Sequence, residues 1–540
     1  MEKGLQEALF FGILSLVIYF HLRMKGEFMF FQSYSAIIQG IDAHIISVEV
    51  DVCDGLPMFS LVGLLSSETR EAKDRVRISI RNSGFKIPTK HITVNLSPAD
   101  IRKDGTAFDL AISMALLCAF GYIPKDCLEH TLFIGELSLD GSVKGINGVL
   151  PMVYGAKKER FLRCFVPKDN AKEAALVKGI EVYGVDTLGE LVDYFIGGGE
   201  IFQVKSPDFT LEKEKETIDF SDVLGQENVK RAVEVAVSGM HNLLILGPPG
   251  AGKTMIAKRI PTIMPELSFE ESLEISKIYS ISGLLNEEQS YVKERPFRSP
   301  HHSITAPSLI GGGAMAKPGE ISLSEGGVLF LDELPEFNSN TLEMLRQPLE
   351  ERKVTISRLQ GSYTYPANFM LVGAMNPCKC GYYPDRTRCH CSEHQVKRYL
   401  GKISRPFLDR MDLCVEASEM KFQDLALKEK GENSKDIRER VKQAREIQKK
   451  RFEKESIRFN GEMSAKMLER YCQVGEKEQM LLERIFAKFE LSARSYHRIL
   501  KVARTIADLD ASEKITVAHL SEAICYRGID AKYWGGGMTA

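Results

Sequence analysis

The pattern of apolar and polar positions changes twice along this chain. From Phe31 the residues alternate in the period-2 manner of half-buried strands, clearly over 44–52 and again over 92–96. Between these lies a helical stretch, 67–83, with Arg70, Lys73, Arg75, Arg77 and Arg81, and a solvated helix surface accounts for those charges. From Asp219 the alternation gives way to short, wholly apolar runs at 243–246, 328–331 and 369–374, separated by helical segments. Runs of that kind predict strands covered on both faces, and therefore a parallel sheet flanked by helices. After about Phe422 the chain turns charged and helical through Tyr526, which predicts an all-α lid. Gly197–Gly199 and the charged run 211–217 read as a linker. The expected organisation is an extension at 1–28, an α+β domain at 29–196, a linker at 197–218, an α/β domain at 219–422 and a helical lid at 423–530.

Composition narrows the classes. A chain of 540 residues exceeds one ordinary core, and 27% charged with 44% hydrophobic residues describes globular domains rather than a disordered or fibrous chain. The net charge of −2 gives no global attraction to polyanions, so contact with nucleic acid must come from local patches. Most of the 11 cysteines stand singly, among them Cys118, Cys164, Cys472 and Cys525, as expected of reduced packing residues in an intracellular, cytoplasmic protein. The apolar run 8–20 is shorter than the roughly 20 residues that span a bilayer. A signal peptide would carry a basic leader and a small-residue cleavage site, whereas Glu2, Lys3 and Glu7 are mixed in charge. A start misassigned upstream of Met24 or Met29 is favoured over membrane anchoring, and no stable membrane partner is expected.

The first candidate chemistry is Gly247-Pro248-Pro249-Gly250-Ala251-Gly252-Lys253-Thr254, between an apolar strand and a helix. Its glycines let backbone N–H groups close around phosphates, Lys253 offers charge to the β and γ phosphates, and Thr254 offers a hydroxyl to Mg²⁺. A chance glycine-rich turn is the competing reading. Asp332 and Glu333 end the next apolar strand, 328–331, where Asp332 would share the Mg²⁺ and Glu333 would polarise water. Asn376, at the tip of the 369–374 run, would sense the γ-phosphate or its water. Arg410 and Arg494 are the guanidinium candidates for the remaining phosphate charge, with a surface salt bridge the alternative for each.

Cys378, Cys380, Cys389 and Cys391 form two Cys-x-Cys pairs around Gly381 and Pro384. Four thiolates on one short loop suit tetrahedral zinc, with His390 and His394 as substitute ligands. Free reduced thiols or a redox pair are the alternatives, since Cys-x-Cys is tighter than the usual Cys-x-x-Cys knuckle.

These elements resemble the AAA+ ATPases, and about 33–528 resembles the ComM/YifB family of magnesium-chelatase-like ATPases. The strings that carry the likeness begin at Tyr34 (YSAIIQGID), Lys90 (KHITVNLSPAD), Arg298 (RSPHHS), Leu329 (LFLDELPEF) and Ser492 (SARSYHR). The resemblance implies ATP and Mg²⁺ as cofactors and a ring, as a homo-hexamer. In that ring Arg410 resembles an arginine finger entering a neighbour's site, and Arg494 resembles the sensor of the lid. It also implies DNA branch migration or helicase work in recombination or natural transformation, with single-stranded or branched DNA and other recombination proteins as partners. A magnesium-chelatase motor subunit remodelling a partner protein is the runner-up, and a non-motor nucleotide switch a third class.

The first domain resembles the proteolytic domain of Lon through 103–109 and 135–148. Aligned by those strings, Ala107 stands at the serine nucleophile and Leu150 at the lysine, and Ser113, Lys103 and Lys144 do not restore the pair. Neither Ala107 nor Leu150 can attack a carbonyl or accept a proton, so a silent protease fold serving as a ring-forming or DNA-contacting platform is expected. Candidate DNA contacts are Arg298, His301, His302, the Gly311–Gly313 loop and Lys317, with packing or metal binding the alternative for the paired histidines.

Overall fold

The computed structural model describes residues 30–207, 218–286, 288–313, 316–358, 361–419, 431–489 and 492–534. The apolar run 8–20, Met24 and Met29, the charged run 211–217 and 423–430 of the expected lid lie outside the described residues. The chain divides into two compact units. One runs to Asp208 and takes in Tyr279–Tyr291; the other is Phe209–Ile278 with Val292–Ala540.

The first unit is built on a mixed seven-stranded sheet in the order Met58–Val62, His91–Ser97, Asp42–Cys53, Phe31–Gln39, Thr131–Phe133, Arg163–Pro167 and Glu181–Val185. Phe31–Gln39 and Asp42–Cys53 pair antiparallel with Gln39 opposite Asp42, so the alternation read from the sequence places one face of each strand in the core. Every residue of the helix Asp109–Ala119 is buried, as suits a helix that is apolar all round apart from Asp109 and Ser113. The helix Ser67–Asn82 is capped by Ser66, whose hydroxyl accepts the Thr69 N–H at 3.2 Å. One of its basic residues is not a solvated charge. Arg75 donates to both carboxylate oxygens of the fully buried Asp109 at 2.8 and 3.1 Å. Burial pushes the Asp109 carboxyl up to about 6 against the pull of Arg75. The segment Tyr279–Tyr291, although distant in sequence, returns to this unit, with Gly148 N–H donating to the Ser280 carbonyl at 3.0 Å.

The second unit centres on a five-stranded sheet in the order Phe297–Arg298, Val328–Leu331, Met370–Met375, Leu243–Leu246 and Leu413–Glu416, with every adjacent pair parallel. Leu243–Leu246, Val328–Leu331 and Met370–Met375 are buried throughout, which explains their lack of alternation. The helices Ser434–Arg451, Glu476–Phe489, Ala493–Leu509 and Val517–Trp534 follow the sheet in sequence. Because the strands run the same way, the residues just after them share one edge of the sheet and those just before them share the other. Among the described residues no helix is long and apolar enough to cross a membrane.

Candidate nucleotide site

Gly247, Asp332 and Asn376 each follow a strand of the parallel sheet and so meet at its C-terminal edge, where such sheets place ligands. Gly250 and Gly252 take φ of 79° and 78°, a region that favours glycine, and turn the chain into the helix Lys253–Ile263. The Lys253 ammonium is buried and donates to the carbonyls of Gly247 and Pro248 at 2.8 and 2.9 Å and to Asn376 Oδ1 at 2.9 Å. Burial lowers its pKa, with Asp332 opposing. Thr254 donates its hydroxyl to Asp332 Oδ2 at 2.6 Å, which sets a hydroxyl and a carboxylate, both oxygen donors of the kind that suit a hard cation, side by side. Glu333 has φ of 50° and donates its N–H to Asp332 Oδ1 at 2.9 Å, leaving its carboxylate exposed. His302 meets that carboxylate, with Nδ1 3.4 Å from Glu333 Oε2, and its ring centre lies 4.0 Å from that of His301 at a tilt of 35°. This contact was not legible in the sequence, where the two histidines read as DNA, packing or metal-binding residues.

Arg410 and Arg494 come together elsewhere. Asn242, immediately before the strand Leu243–Leu246, donates its side-chain amide to the Arg410 carbonyl at 2.9 Å, and its N–H to Asp412 Oδ2 at 2.9 Å. Arg410 therefore sits at the N-terminal edge of the sheet, a four-residue strand from Gly247, or about 13 Å along the backbone at ~3.3 Å per residue. Its buried guanidinium donates to Glu350 Oε1 at 2.6 Å and to the Arg346 carbonyl at 3.1 Å. Burial lowers its pKa, and Glu350 opposes. A cavity of about 970 Å³ opens at this edge, lined by Arg410, the exposed Arg494, Arg498, Lys501 and Asp412. Burial pushes the Asp412 carboxyl up, but Arg498 and His241 overcome it and hold the group well below the usual carboxylate range. Within one chain the structure brings Lys253, Thr254, Asp332, Glu333 and Asn376 together and places Arg410 and Arg494 at the opposite edge.

The four thiols converge. Cys378, Cys380, Cys389 and Cys391 offer sulfurs that all lie within 4.8 Å of one another, and none of the four is in a disulfide. His390 and His394 are not part of that group.

The candidate DNA contacts fare unequally. Arg298 donates to both oxygens of Glu320 at 2.6 and 2.7 Å, so its charge is neutralised within the fold. His301 pairs with Ser303 at 2.8 Å. Gly311–Gly312 and Lys317–Pro318 form a short antiparallel pair that leaves Lys317 exposed. Beside it stands a hairpin, Lys353–Arg358 with Gly361–Pro366, that the sequence reading missed. Its Val354, Ile356 and Tyr365 face inward while Lys353, Thr355, Ser357 and Arg358 are exposed, and Tyr365 ties it down by donating to the Ala316 carbonyl at 2.9 Å. The alternation Lys-Val-Thr-Ile-Ser-Arg was the available signal. In the first unit, Ala107 and Leu150 are buried, and Lys103 is spent on the Pro98 carbonyl.

A parallel sheet flanked by helices, with a glycine-rich turn after one strand and two carboxylates after another, fits the AAA+ class. The model for "Magnesium chelatase, subunit ChlI" matches residues 219–425. "Subunit ChlI of Mg-chelatase" matches 48–170, and "Magnesium chelatase, subunit ChlI C-terminal" matches 431–527. "Competence protein ComM" of Haemophilus influenzae is 42% identical over 505 residues, covering 92% of this chain and 97% of that protein. "Uncharacterized protein YifB" of Escherichia coli is 42% identical over 495 residues, covering 91% and 96%. The chain belongs to the ComM/YifB family of magnesium-chelatase-like proteins. The likeness to Lon is partial: "Lon protease 2" of Bacillus subtilis is 28% identical over 180 residues, 29% of this chain and 32% of that protein.

Proposed function

We propose that this chain is an ATP-driven, ring-forming motor on branched or recombining DNA, of the ComM type, working in the cytoplasm. The observation that carries the reading is the split of the hydrolysis parts between the two edges of one sheet. At the C-terminal edge Lys253 is held on the loop carbonyls and Asn376, ready to exchange them for phosphate oxygens. Thr254 and Asp332 would hold Mg²⁺, which would supply positive charge to the phosphates. Glu333 takes the proton of the attacking water, and Asn376 orients that water or the γ-phosphate. Arg410 and Arg494 sit too far away to serve their own chain's nucleotide, so they complete a neighbour's site, which requires a closed head-to-tail ring such as a homo-hexamer. Other recombination proteins are expected partners of such a motor.

The name of the Haemophilus relative, a competence protein, supports DNA as the substrate. The exposed Lys317, Lys353 and Arg358 of the two neighbouring hairpins supply cations for a phosphate backbone without reading bases. The first unit resembles Lon but carries Ala107 and Leu150 at the dyad positions, so it acts as a platform and not as a protease. The matches to magnesium-chelatase subunits favour one second reading, a motor that remodels a partner protein. ATP turnover and strand displacement, measured with and without branched DNA for the wild type, Lys253→Ala and Glu333→Gln, separate the two. DNA-stimulated turnover with displacement supports the DNA motor. Turnover indifferent to DNA, without displacement, rejects it in favour of remodelling.

A further inference from the structure

The loop 376–391 has little apolar content of its own, yet Cys378 and Cys389 are buried. Their sulfurs lie 3.7 Å apart, and that of Cys380 lies 3.3 Å from Cys378 and 3.5 Å from Cys389. A tetrahedral zinc tetrathiolate with Zn–S bonds of about 2.3 Å has sulfur–sulfur edges of about 3.8 Å. Three of the sulfurs thus already stand about as far apart as such an ion requires, and that of Cys391 lies within 4.8 Å of each. Two backbone N–H groups, those of Gly381 and Tyr383, point at the Cys378 sulfur at 3.3 and 3.4 Å, the outer hydrogen bonds that stabilise a metal-bound thiolate.

The same loop grips the phosphate loop from two sides. A Cβ at Gly381 would lie 2.4 Å from Pro249 Cδ, so the turn between the two cysteine pairs rests directly on the glycine-rich loop. At its far end Arg388 lies over the Tyr382 ring at 4.0 Å and is bonded to both carboxylate oxygens of Glu419. Glu419 follows Ala417 and Ser418. A Cβ at Gly247 would meet the Ala417 carbonyl at 2.7 Å, and Ser418 N–H donates at 3.0 Å to Gln226, whose amide reaches the Ala251 carbonyl at 3.4 Å. The cysteine chain begins two residues after Asn376, which itself holds Lys253.

We infer that Cys378, Cys380, Cys389 and Cys391 bind one zinc ion as a tetrathiolate, and that this knot is the outer wall of the phosphate loop, so that zinc loading sets nucleotide affinity. The thiols give up their protons to solvent as the metal binds, and the metal replaces the apolar core that the loop lacks. The coupling rests on the nucleotide reading above; the zinc site does not.

The test uses the full chain. Metal content is measured by mass spectrometry, and affinity with a fluorescent ATP analogue, for the protein as isolated, after stripping with a thiol reagent and chelator, and after adding Zn²⁺ back. One zinc per chain is expected, absent from Cys378→Ser and Cys389→Ser. Stripping should weaken analogue binding by about tenfold or more, the scale of an ångström-sized displacement of binding groups, and added zinc should restore it. Circular dichroism of the stripped chain separates loss of this wall from general unfolding, and general unfolding on stripping would overturn the coupling. A zinc-free wild type whose four thiols react freely overturns the site. Unchanged affinity in a stripped, folded chain overturns the coupling. A zinc-loaded wild type that binds no analogue, like Lys253→Ala, overturns the nucleotide reading and the coupling with it, while the metal content still stands for the site.

Discussion

Gly381→Ala tests the contact between the cysteine loop and the phosphate loop with a single methyl group. Gly381 has φ of +90°, and the added Cβ would lie 2.4 Å from Pro249 Cδ and 3.3 Å from its Cγ. The left-handed backbone costs an L-residue about 1–2 kcal/mol. Relieving the overlap requires a shift of about 1 Å, and overpacking of that order costs about 1–3 kcal/mol more. If half of the overpacking cost, about 0.5–1.5 kcal/mol, is relieved by moving Pro249 rather than the cysteine turn, nucleotide affinity falls roughly 2- to 12-fold at 1.4 kcal/mol per decade. Gly84→Ala is the control: its φ is +91°, but its Cβ would meet nothing within 4 Å, so it carries the backbone cost alone and in the other unit. Titration with a fluorescent ATP analogue, alongside thermal unfolding, reads both terms. Wild-type affinity in a folded Gly381→Ala chain would show that the contact transmits nothing and would refute the reasoning.

Burial raises the Glu325 carboxyl to about 8, although Asn368 N–H at 2.6 Å and Arg352 pull the other way. The folded chain therefore keeps a proton that the unfolded chain releases near pH 4.5, and the stability this confers is complete below that pH and drains away as pH rises through about 8. Glu325→Gln should flatten the fall in melting temperature between pH 5 and 8, and a slope equal to that of the wild type would reject the shift. His302, 3.4 Å from Glu333, is expected to position that carboxylate. His302→Ala should lower ATP turnover about tenfold with nucleotide affinity unchanged and His302→Gln partly restoring it, whereas equal loss in both variants or a changed affinity would make the contact merely structural.

Leu243–Leu246, Val328–Leu331 and Met370–Met375 were legible because residues buried on both faces leave unbroken apolar runs, and Phe31–Gln39, Asp42–Cys53 and His91–Ser97 because one buried face leaves alternation. The grouping of Lys253, Thr254, Asp332 and Asn376 follows from the same reading, since Asp332 and Asn376 lie just past apolar runs and Lys253 and Thr254 close the glycine-rich turn that follows another. Contacts that depend on how elements pack were not legible. Arg75 looks like its basic neighbours until the buried Asp109 is placed opposite it, and His302 carries no local sign of Glu333, thirty-one residues on. The position of Arg410 at the far edge depends on Asn242 and on the direction of one short strand. The hairpin over 353–366 was legible in principle, but its alternation is short and lies between helical segments.

Hydrolysis by a ring of this kind needs groups from two copies of the chain. Lys253→Ala lacks the phosphate-loop cation and Arg494→Ala, at an exposed position, lacks the far-edge guanidinium, so each alone should hydrolyse almost no ATP. In a randomly mixed ring one interface in four joins an intact phosphate loop to an intact Arg494, and an equimolar mixture with branched DNA should recover about a quarter of wild-type turnover. A mixture as inactive as its two components would contradict a site completed between subunits.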